Sequence, residues 1–409
     1  MNNILIHYLS YLFIFLILFE IVLQITIHFL KKDFQWLITK KDEFPISDQS
    51  QLDEFIKKKF SKHTGWKWRA NTKGYEYLNN IRTSFKISKN GYRETGNIFN
   101  NSTISVIGDS YAFCRYVNDN ETWVSFLEKK MNIGIRNYGV GNYGIDQAII
   151  KYFNISVEKE TQLIILAFVP ETISRVHSFW KHYCEFGNKF AFKPKYTLVN
   201  GKLKLIPTVL QENSTIKTLI DKTNYIKQND IFYEKKFLLH MYKFPYLVTY
   251  FKYLERYSVI IYNLLIYKIY NFFKIKNSTR FLNNAFGKIV SDNISDSYKM
   301  YNDAKYTELL RNLIYDFKEK LDKEGRKLVL LVLPQLNDIK NAKKKTISYQ
   351  LFFEKIKKKV NIIDLTNSLK NLPDYKNYYL EDNHGGHFSS SGNKLIAELI
   401  LNEIKKILR

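Results

Sequence analysis

The sequence is poor in cysteine, and this limits the class of protein it can encode. Its two cysteines, Cys114 and Cys184, are too few for the disulfide framework of a small secreted domain. The two could still pair, but a sequence carries no information on the geometry that a disulfide needs. The redox compartment therefore stays open.

Acidic residues are also comparatively scarce, with 39 against 63 lysines and arginines, and the formal net charge is +24. Such an excess is typical of proteins that bind nucleic acid or anionic membranes. Here, however, the lysines are spread along the chain among many Ile, Asn, Tyr and Phe residues, as an AT-rich coding bias produces. Since no basic-aromatic binding motif stands out, we predict no nucleic-acid partner.

Wholesale disorder is excluded by the hydrophobic content of 45% and the charged content of 25%, which allow a packed core. The length of 409 residues fits one large α/β domain that carries an insertion. We interpret residues 4–30 as a membrane anchor, 31–101 as linker and lead-in, and 102–409 as the main domain, with the insertion at about 176–300.

Residues 4–30 are apolar over slightly more than the ~20 positions that a helix needs to cross a bilayer. A secretory h-region is shorter, and no small-residue cleavage site follows, so we predict a retained single-pass membrane helix. His7, Glu20, Gln24 and His28 interrupt this segment. Such residues often face a partner or a water-lined groove; alternatively, the outer ones snorkel and Glu20 is protonated.

The charges around this helix bear on its orientation. No lysine or arginine precedes it, while Lys31, Lys32, Lys40 and Lys41 follow it. By the positive-inside rule, this pattern puts the main domain in the cytoplasm.

Apolar runs alternate with helical patterns along the main domain, which indicates a parallel sheet with helices on both faces. In such sheets the ligand site lies beyond the carboxyl ends of the strands. The predicted strands are 102–108, 133–140, 163–169, 327–333 and 360–365, and the predicted helices are 123–131, 143–158, 303–324, 348–359 and 392–408.

The pattern breaks in the insertion. Residues 193–207 predict a hairpin around Asn200-Gly201. Residues 237–274 are rich in Tyr, Leu, Ile and Phe with scattered basic residues. They predict either a lid or a helix on the membrane surface, or an amphipathic helix that covers the sheet.

Three motifs could carry chemistry. Gly108-Asp109-Ser110 ends the first strand, where a serine hydroxyl can lie in a cleft near helix amides. Residues 137–144 (NYGVGNYG) follow the second strand, and their glycines let the backbone approach a ligand. Residues 381–392 (EDNHGGHFSSSG) precede the last helix and offer a histidine to deprotonate the serine and a carboxylate to orient the histidine. Each motif alone is also common in turns and polar loops.

Together, and in this order, the three motifs resemble the SGNH/GDSL superfamily of serine hydrolases, in its membrane-anchored bacterial form. The stretch SKNGYRETG (88–96) also resembles the lead-in of anchored members. The resemblance covers about 88–187 and 301–408. It implies an α/β class, flavodoxin-like three-layer α/β/α fold with a central parallel sheet of about five strands, an N-terminal transmembrane helix and a mainly helical insertion.

The resemblance also implies the roles of individual residues. Ser110 is the expected nucleophile and His387 the expected base, since the spacing H-x-x-x-x-G to Gly392 fits His387 and not His384. Asp382 is the nearest carboxylate for orienting it. The residues expected to contact the oxyanion or the substrate are Asp109, Gly141, Asn142 and Glu171.

Two departures from the family pattern stand out. The position three residues before the histidine, an aspartate in many members, is His384, so Asp382 needs Gly385-Gly386 to curl it within reach. Where many members have an oxyanion asparagine, this chain has Glu171, which would repel an oxyanion unless it points away, is protonated or pairs with a cation such as Arg175. Asp382, His384 and His387 could instead bind zinc. Because no other cluster supplies the missing ligands, we expect no metal and no cofactor.

Three functions remain open. The first is hydrolysis of an O-acyl ester on a carbohydrate or lipid through an acyl-enzyme on Ser110. The second is acyl transfer to a cell-envelope polysaccharide by the same serine, and the third is a non-catalytic envelope or glycan-binding role. Anchored relatives more often face outward, against the positive-inside pattern, so the membrane side stays open, as does the oligomeric state.

Overall fold

A computed structural model of the chain describes residues 2–34, 42–78, 81–185, 188–382 and 385–409. Lys40, Lys41 and His384, which the sequence analysis invoked, lie outside the described residues.

Eleven strands lie in the described ranges. In chain order they are β1 (Phe60–Ser61), β2 (Gly65–Trp66), β3 (Thr72–Leu78), β4 (Ile81–Ile87), β5 (Ser102–Gly108), β6 (Gly134–Asn137), β7 (Leu163–Phe168), β8 (Lys195–Val199), β9 (Lys202–Ile206), β10 (Lys327–Val332) and β11 (Asn361–Asp364).

The same ranges contain seventeen α-helices besides single turns of other helix types. In chain order they are α1 (Asn2–Phe34), α2 (Gln49–Lys59), α3 (Ser110–Phe113), α4 (Trp123–Met131), α5 (Ile145–Tyr152), α6 (Thr172–His177), α7 (Lys181–Cys184), α8 (Ile216–Asp221), α9 (Thr223–Asn229), α10 (Tyr246–Lys252), α11 (Leu254–Phe272), α12 (Thr279–Tyr301), α13 (Ala304–Lys323), α14 (Leu336–Ala342), α15 (Ser348–Ile356), α16 (Thr366–Lys370) and α17 (Ser390–Leu408).

The central sheet has five parallel strands in the order β11-β10-β7-β5-β6. Numbered along the chain within this sheet, the order is 2-1-3-4-5 read from β6, which is the flavodoxin-like arrangement. The fold class and all five predicted strands are therefore confirmed. In this topology the chain reverses its direction across the sheet between β5 and β7, and a ligand crevice is expected beyond the carboxyl ends of these two strands.

Helices cover both faces of the sheet, because its inner strands β5, β7 and β10 are largely apolar on both sides. In β7, Ile164, Leu166 and Phe168 face one apolar cluster, which includes α5, α13 and α15. The alternate residues of β7 face a second cluster, which includes α4 and α17. The result is the predicted three-layer α/β/α architecture.

The segment 42–101, interpreted from the sequence as linker and lead-in, contains α2 and two small antiparallel pairs, β1–β2 and β3–β4. Leu52 and Phe60 are buried in the first cluster of the main domain, and Phe85 and Ile87 pack on Phe113 at the end of α3. This part of the chain is thus packed onto the main domain.

The insertion is mainly helical, with one hairpin. The hairpin prediction is confirmed, since β8 and β9 pair antiparallel around Asn200 (φ 50°) and Gly201 (φ 74°), the two positive φ angles of a type I′ turn. Helices α10 and α11 do not cover the sheet. Their buried residues form a separate apolar cluster with α1 and the first half of α12.

Candidate active site

Ser110 lies at the carboxyl end of β5, where a glycine lets two strands approach closely. Gly108 has φ 148°, and a Cβ atom there would lie 1.8 Å from the carbonyl oxygen of Ala167 in β7. The chain then turns into α3, and Ser110 is its first residue. Because the first amides of a helix have no acceptor inside the helix, the Ser110 N–H can donate a hydrogen bond to a ligand that is bound at the Ser110 hydroxyl.

Asp109, a predicted oxyanion or substrate contact, is 1% exposed. Its carboxylate accepts hydrogen bonds from the main-chain N–H of Tyr111 and of Val169, both at 2.9 Å. It thereby caps α3 and connects the end of β5 to the end of β7. Burial raises the pKa of this carboxyl, and Arg175, 3.7 Å away, opposes part of that rise.

His387 reaches the serine from a loop that directly precedes α17. The helix begins after Ser389, whose hydroxyl accepts a hydrogen bond from the Gly392 N–H at 3.1 Å. Gly385 (φ 95°) and Gly386 (φ 88°) occupy left-handed backbone conformations that glycine adopts without a steric penalty. These turns carry the loop back over the end of β5.

The structure brings Ser110, His387 and Asp382 together in one chain of contacts. The distance from Ser110 Oγ to His387 Nε2 is 2.9 Å, and His387 Nδ1 contacts Asp382 Oδ2. Asp382 also accepts hydrogen bonds from the Gly386 N–H at 2.9 Å and the His387 N–H at 3.0 Å. Since a carboxylate only accepts, the proton lies on Nδ1, and Nε2 is left to accept the serine proton.

Two tyrosines that the sequence analysis did not single out hold the imidazole in this orientation. The Tyr111 ring stacks on His387 at 4.5 Å between centroids, and the Tyr116 ring meets it edge-on at 5.6 Å. The Tyr111 hydroxyl also donates to the carbonyl oxygen of Gly386 at 2.5 Å. Tyr111, the residue next to Ser110, therefore supports both the ring and its loop.

Gly141 and Asn142 form the loop after β6, as predicted, and Asn142 lines the pocket that also contains Ser110 and His387. Asn142 has φ 69°. The carbonyl oxygen of Gly141 accepts a hydrogen bond from Trp66 Nε1 at 3.0 Å, so the loop is held from the segment that precedes the main domain.

Glu171 also lines the pocket, and it is paired rather than isolated. Its Oε2 lies 3.3 Å from Arg175 Nη2 and accepts a hydrogen bond from Gln335 Nε2 at 3.1 Å. Arg175 itself is 3.7 Å from both Asp109 and Glu185. Burial raises the pKa of Glu171, and Arg175 opposes part of that rise. Of the three conditions set for a glutamate here, pairing with a cation is the one observed.

A buried arginine in the stretch 88–96 supports the end of α3 and the turn that follows it. Arg93 is 1% exposed and donates to the carbonyl oxygens of Phe113 and Cys114, each at 2.7 Å, and of Val117 at 2.6 Å. Its ion pair with Asp119 measures 2.9 Å. The motif 88–96 was the sequence signal for this role, which the residue alone does not reveal.

The sequence also raised a disulfide between the two cysteines and an alternative zinc site. Both cysteines are free and buried, and burial raises the pKa of each thiol to about 12. Within the described ranges no group of three His, Cys, Asp or Glu side chains is arranged to hold a metal. His384, one member of the alternative zinc set, is not among those residues.

Comparisons with known proteins add little to this geometry. No family model matches the chain, and no curated protein matches it. Among solved structures, it is similar to a protein assigned to the G-D-S-L family of lipolytic proteins from Desulfitobacterium hafniense DCB-2, at 12% identity and a TM-score of 0.32. That similarity covers 74% of this chain and 99% of the other.

Proposed function

We propose that the chain is a serine esterase of the SGNH/GDSL type that removes an acyl group from a carbohydrate or lipid. The observation that carries this proposal is the distance of 2.9 Å between Ser110 Oγ and His387 Nε2, with Asp382 at the other ring nitrogen. A serine hydroxyl is a weak nucleophile until such a base accepts its proton.

In the proposed reaction, Ser110 Oγ attacks the ester carbonyl while His387 Nε2 takes the hydroxyl proton. The negative charge that develops on the carbonyl oxygen is stabilised by the N–H groups of Ser110 and of the Gly141–Asn142 loop. His387 then returns the proton to the departing alkoxide, and the acyl group stays on Ser110. Water attacks this acyl-enzyme with His387 again as base, which releases the carboxylic acid and restores the serine.

The size of the pocket favours a short acyl group. Its cavity volume is about 70 Å³, and one water molecule needs ~10–15 Å³ of cavity volume measured in the same way. An acetyl-sized group fits within such a space, whereas a long fatty acyl chain would have to extend out of it. Phe286, Ile289 and Val290 of α12 supply apolar walls.

A groove of about 380 Å³ adjoins this pocket and supports acyl transfer as a second candidate function. Arg115, Asn142 and Asn188 line both spaces. The groove continues to the aromatic rings of Trp66 and Trp68, and flat, partly polar rings of this kind suit an amphipathic ligand. A sugar bound there would present a hydroxyl to the acyl-enzyme in place of water.

We also propose that α1 anchors the enzyme in a membrane. Its residues Ile4–Lys31 form a helix that is long and apolar enough to cross a bilayer, and most side chains of its first half are exposed. A buried core helix would hide these side chains. Acetylated envelope glycans and lipids are substrates that such an anchor would keep within reach.

The experiment that tests the esterase proposal uses the full chain in detergent or nanodiscs with an activated acetyl ester and a fluorophosphonate probe. Wild type should be labelled at Ser110 and should release acetate, and Ser110→Ala should lose both, with a rate at least ~10³-fold lower. Unchanged turnover in Ser110→Ala would refute the proposal. A folded wild type that neither labels nor turns over would favour the non-catalytic role.

Hydrolysis and transfer are separated by adding an acceptor. Supplying an acetyl donor together with a soluble polysaccharide should give acetylated glycan if the groove holds the acceptor, and free acetate alone if it does not. Arg115→Ala and Asn188→Ala offer a check, since loss of acceptor binding should raise the KM for the glycan more than it lowers acetate release.

A further inference from the structure

Helix α10 and the residues that flank it carry an apolar surface that stays largely exposed in the described chain. Phe244, Val248, Phe251 and Leu254, here called the α10 patch, are 78%, 63%, 51% and 47% exposed. Lys243 and Lys252 are exposed on the same segment. Exposed apolar clusters with basic neighbours typically mark a membrane or partner contact.

The α10 patch is joined directly to the apolar helix α1. The Phe19 ring lies 5.6 Å from that of Tyr250 and 5.9 Å from that of Phe251. The two carboxylate oxygens of Glu20 accept hydrogen bonds from the main-chain N–H of Tyr246 and of Leu247, both at 2.8 Å. Glu20 thus caps the start of α10, whose first amides have no acceptor within the helix.

The exposure of α1 locates this junction relative to a bilayer. On the described part of α1 before residue 19, the side chains are exposed or, at Leu16, half-buried. From Glu20 onward one face is buried, since Leu23, Ile27 and Leu30 pack against the insertion. Residues 4–22 would span roughly 28 Å at ~1.5 Å per residue, close to the ~30 Å of a hydrocarbon core. Glu20 therefore lies near the level where the bilayer ends and the protein begins.

We propose that the α10 patch inserts into the membrane interface beside α1, so that the anchor and α10 fix the height and tilt of the main domain on the bilayer. The occupant of the patch is lipid, because the patch continues the apolar surface of a helix of membrane-spanning length. Lys243 and Lys252 can extend to the lipid head groups while their stems stay on the apolar surface. This inference rests on the anchoring role proposed for α1.

The same packing brings the candidate active site close to the anchor. Ile289 of α12 lines the pocket of Ser110 and His387. It also belongs to the apolar cluster that contains Leu23 and Ile27 of α1. A substrate carried in or on the membrane would meet the pocket at this end of the molecule.

Helix α11 provides an internal control of depth. It extends beside the buried half of α1, since Lys268 Nζ lies 4.7 Å from the centroid of the Phe29 ring. Phe272, one turn further along α11, is 80% exposed, and the proposed orientation puts it on the side away from the bilayer. By exposure alone, Phe272 and the α10 patch would be equally good membrane contacts, whereas the proposed depth puts only the α10 patch at the bilayer.

The test uses the full chain in nanodiscs with single cysteines labelled by an environment-sensitive fluorophore. Cys114 and Cys184 are buried and should react little in the folded protein. The labelled variants are Phe13→Cys in α1, Val248→Cys in the α10 patch and Phe272→Cys in α11. Lipids that carry a quencher on the acyl chain should reduce the emission at positions 13 and 248 at least twofold and leave position 272 unchanged.

Each other result overturns a defined part of the proposal. Quenching at 13 but not at 248 means that water or another protein surface, a second copy included, covers the patch, and the membrane contact of α10 is then rejected. Equal quenching at 248 and 272 rejects the proposed depth. No quenching at position 13 rejects both the membrane anchor and the membrane contact of the α10 patch. A loss of esterase activity alone leaves both conclusions unchanged, because the quenching does not depend on catalysis.

Discussion

At the scale of single residues, Tyr111 is the clearest positioning residue for His387, because its ring and its hydroxyl act on the same loop. Tyr111→Phe keeps the stack and removes the hydrogen bond to Gly386, so we expect kcat to fall roughly tenfold with KM unchanged. Tyr111→Ala removes both contacts and should approach Asp382→Asn, for which the wrong imidazole tautomer costs up to ~10⁴-fold. Rates of fluorophosphonate labelling at Ser110 measure both effects.

A purely structural role for Tyr111 predicts different effects of these two variants. If Tyr111 serves only the core, Phe should behave as wild type and Ala should lose stability rather than rate. Melting temperatures of the same samples distinguish the two cases.

Glu171 permits a sharper prediction, because its position in the pocket is that of an expected oxyanion contact. Glu171→Gln removes the negative charge while the amide oxygen can still accept from Gln335 and Arg175. We therefore expect the acylation rate to be retained or to rise several-fold. Glu171→Ala leaves the buried Arg175 with Asp109 and Glu185 as its remaining carboxylate neighbours and should destabilise the fold by ~1–3 kcal/mol. Stopped-flow acylation and chemical denaturation check the pair, and a large loss of rate in the Gln variant would contradict this account.

Some residues of the candidate site could be predicted from the sequence because their signals are local. Ser110, His387 and Asp382 lie in short motifs with turn glycines and polar side chains, and these signals are local. Gln335 and the apolar wall of α12 come from segments with ordinary composition, and only the folded chain brings them to the pocket. Tyr111 directly follows the Ser110 motif, but its contact with His387 depends on the fold. The pairing of Glu171 depends likewise on Gln335, 164 positions away.

At the scale of elements, α14 begins with a buried capping box that should titrate. Asp338 is fully buried, accepts a hydrogen bond from the Gln335 N–H at 2.8 Å and contacts the Tyr298 hydroxyl. Burial raises the pKa of its carboxyl to about 7. The folded chain thus retains this proton where the unfolded chain, with an ordinary pKa of 3.8, has lost it.

The direction in which pH changes the stability follows from the linkage between proton binding and folding. A raised pKa contributes stability that is complete below about pH 3.8 and is lost as the pH rises through about 7. The side chain in Asp338→Asn has no such proton to lose and does not share this loss of stability. The difference in free energy of unfolding between Asp338→Asn and wild type should therefore increase by on the order of a few kcal/mol from acidic to mildly alkaline pH. Urea denaturation at a series of pH values measures it. Asp322→Asn on the surface of α13 is the control, and equal pH slopes for all three proteins would contradict the prediction.

The inner strands β5, β7 and β10 were predictable because each is a largely apolar run buried on both faces, and β5 matches its predicted bounds at both ends. The helix after β6 ends earlier than its periodicity indicates, at Tyr152, and α15, which follows β10, ends at Ile356 and not at 359. Helix ends depend on caps and on local packing, which apolar spacing does not encode.

At the scale of the whole molecule, the sequence predicted an anchor, a sheet and an insertion, but not that the insertion packs on the anchor. This arrangement depends on contacts between positions more than 200 apart, such as Glu20 with Tyr246. The polar residues within the apolar segment were the available signal. Glu20 faces a protein partner within the same chain, one of the alternatives open from the sequence.

Glu20 therefore offers a test of how the anchor holds the main domain. Glu20→Ala removes both acceptors at the start of α10, and each cap is typically worth ~1 kcal/mol. Because trypsin can cleave after the exposed Lys243 and Lys252 only when the backbone beside them opens, loosening of α10 should quicken cleavage there roughly tenfold in the full chain in nanodiscs. Glu20→Gln keeps one acceptor oxygen and should be intermediate. Glu255→Ala, which removes an 86% exposed carboxylate from α11, should cleave as wild type, and if Glu20→Ala did so too, α10 would be held by its aromatic contacts with Phe19 alone.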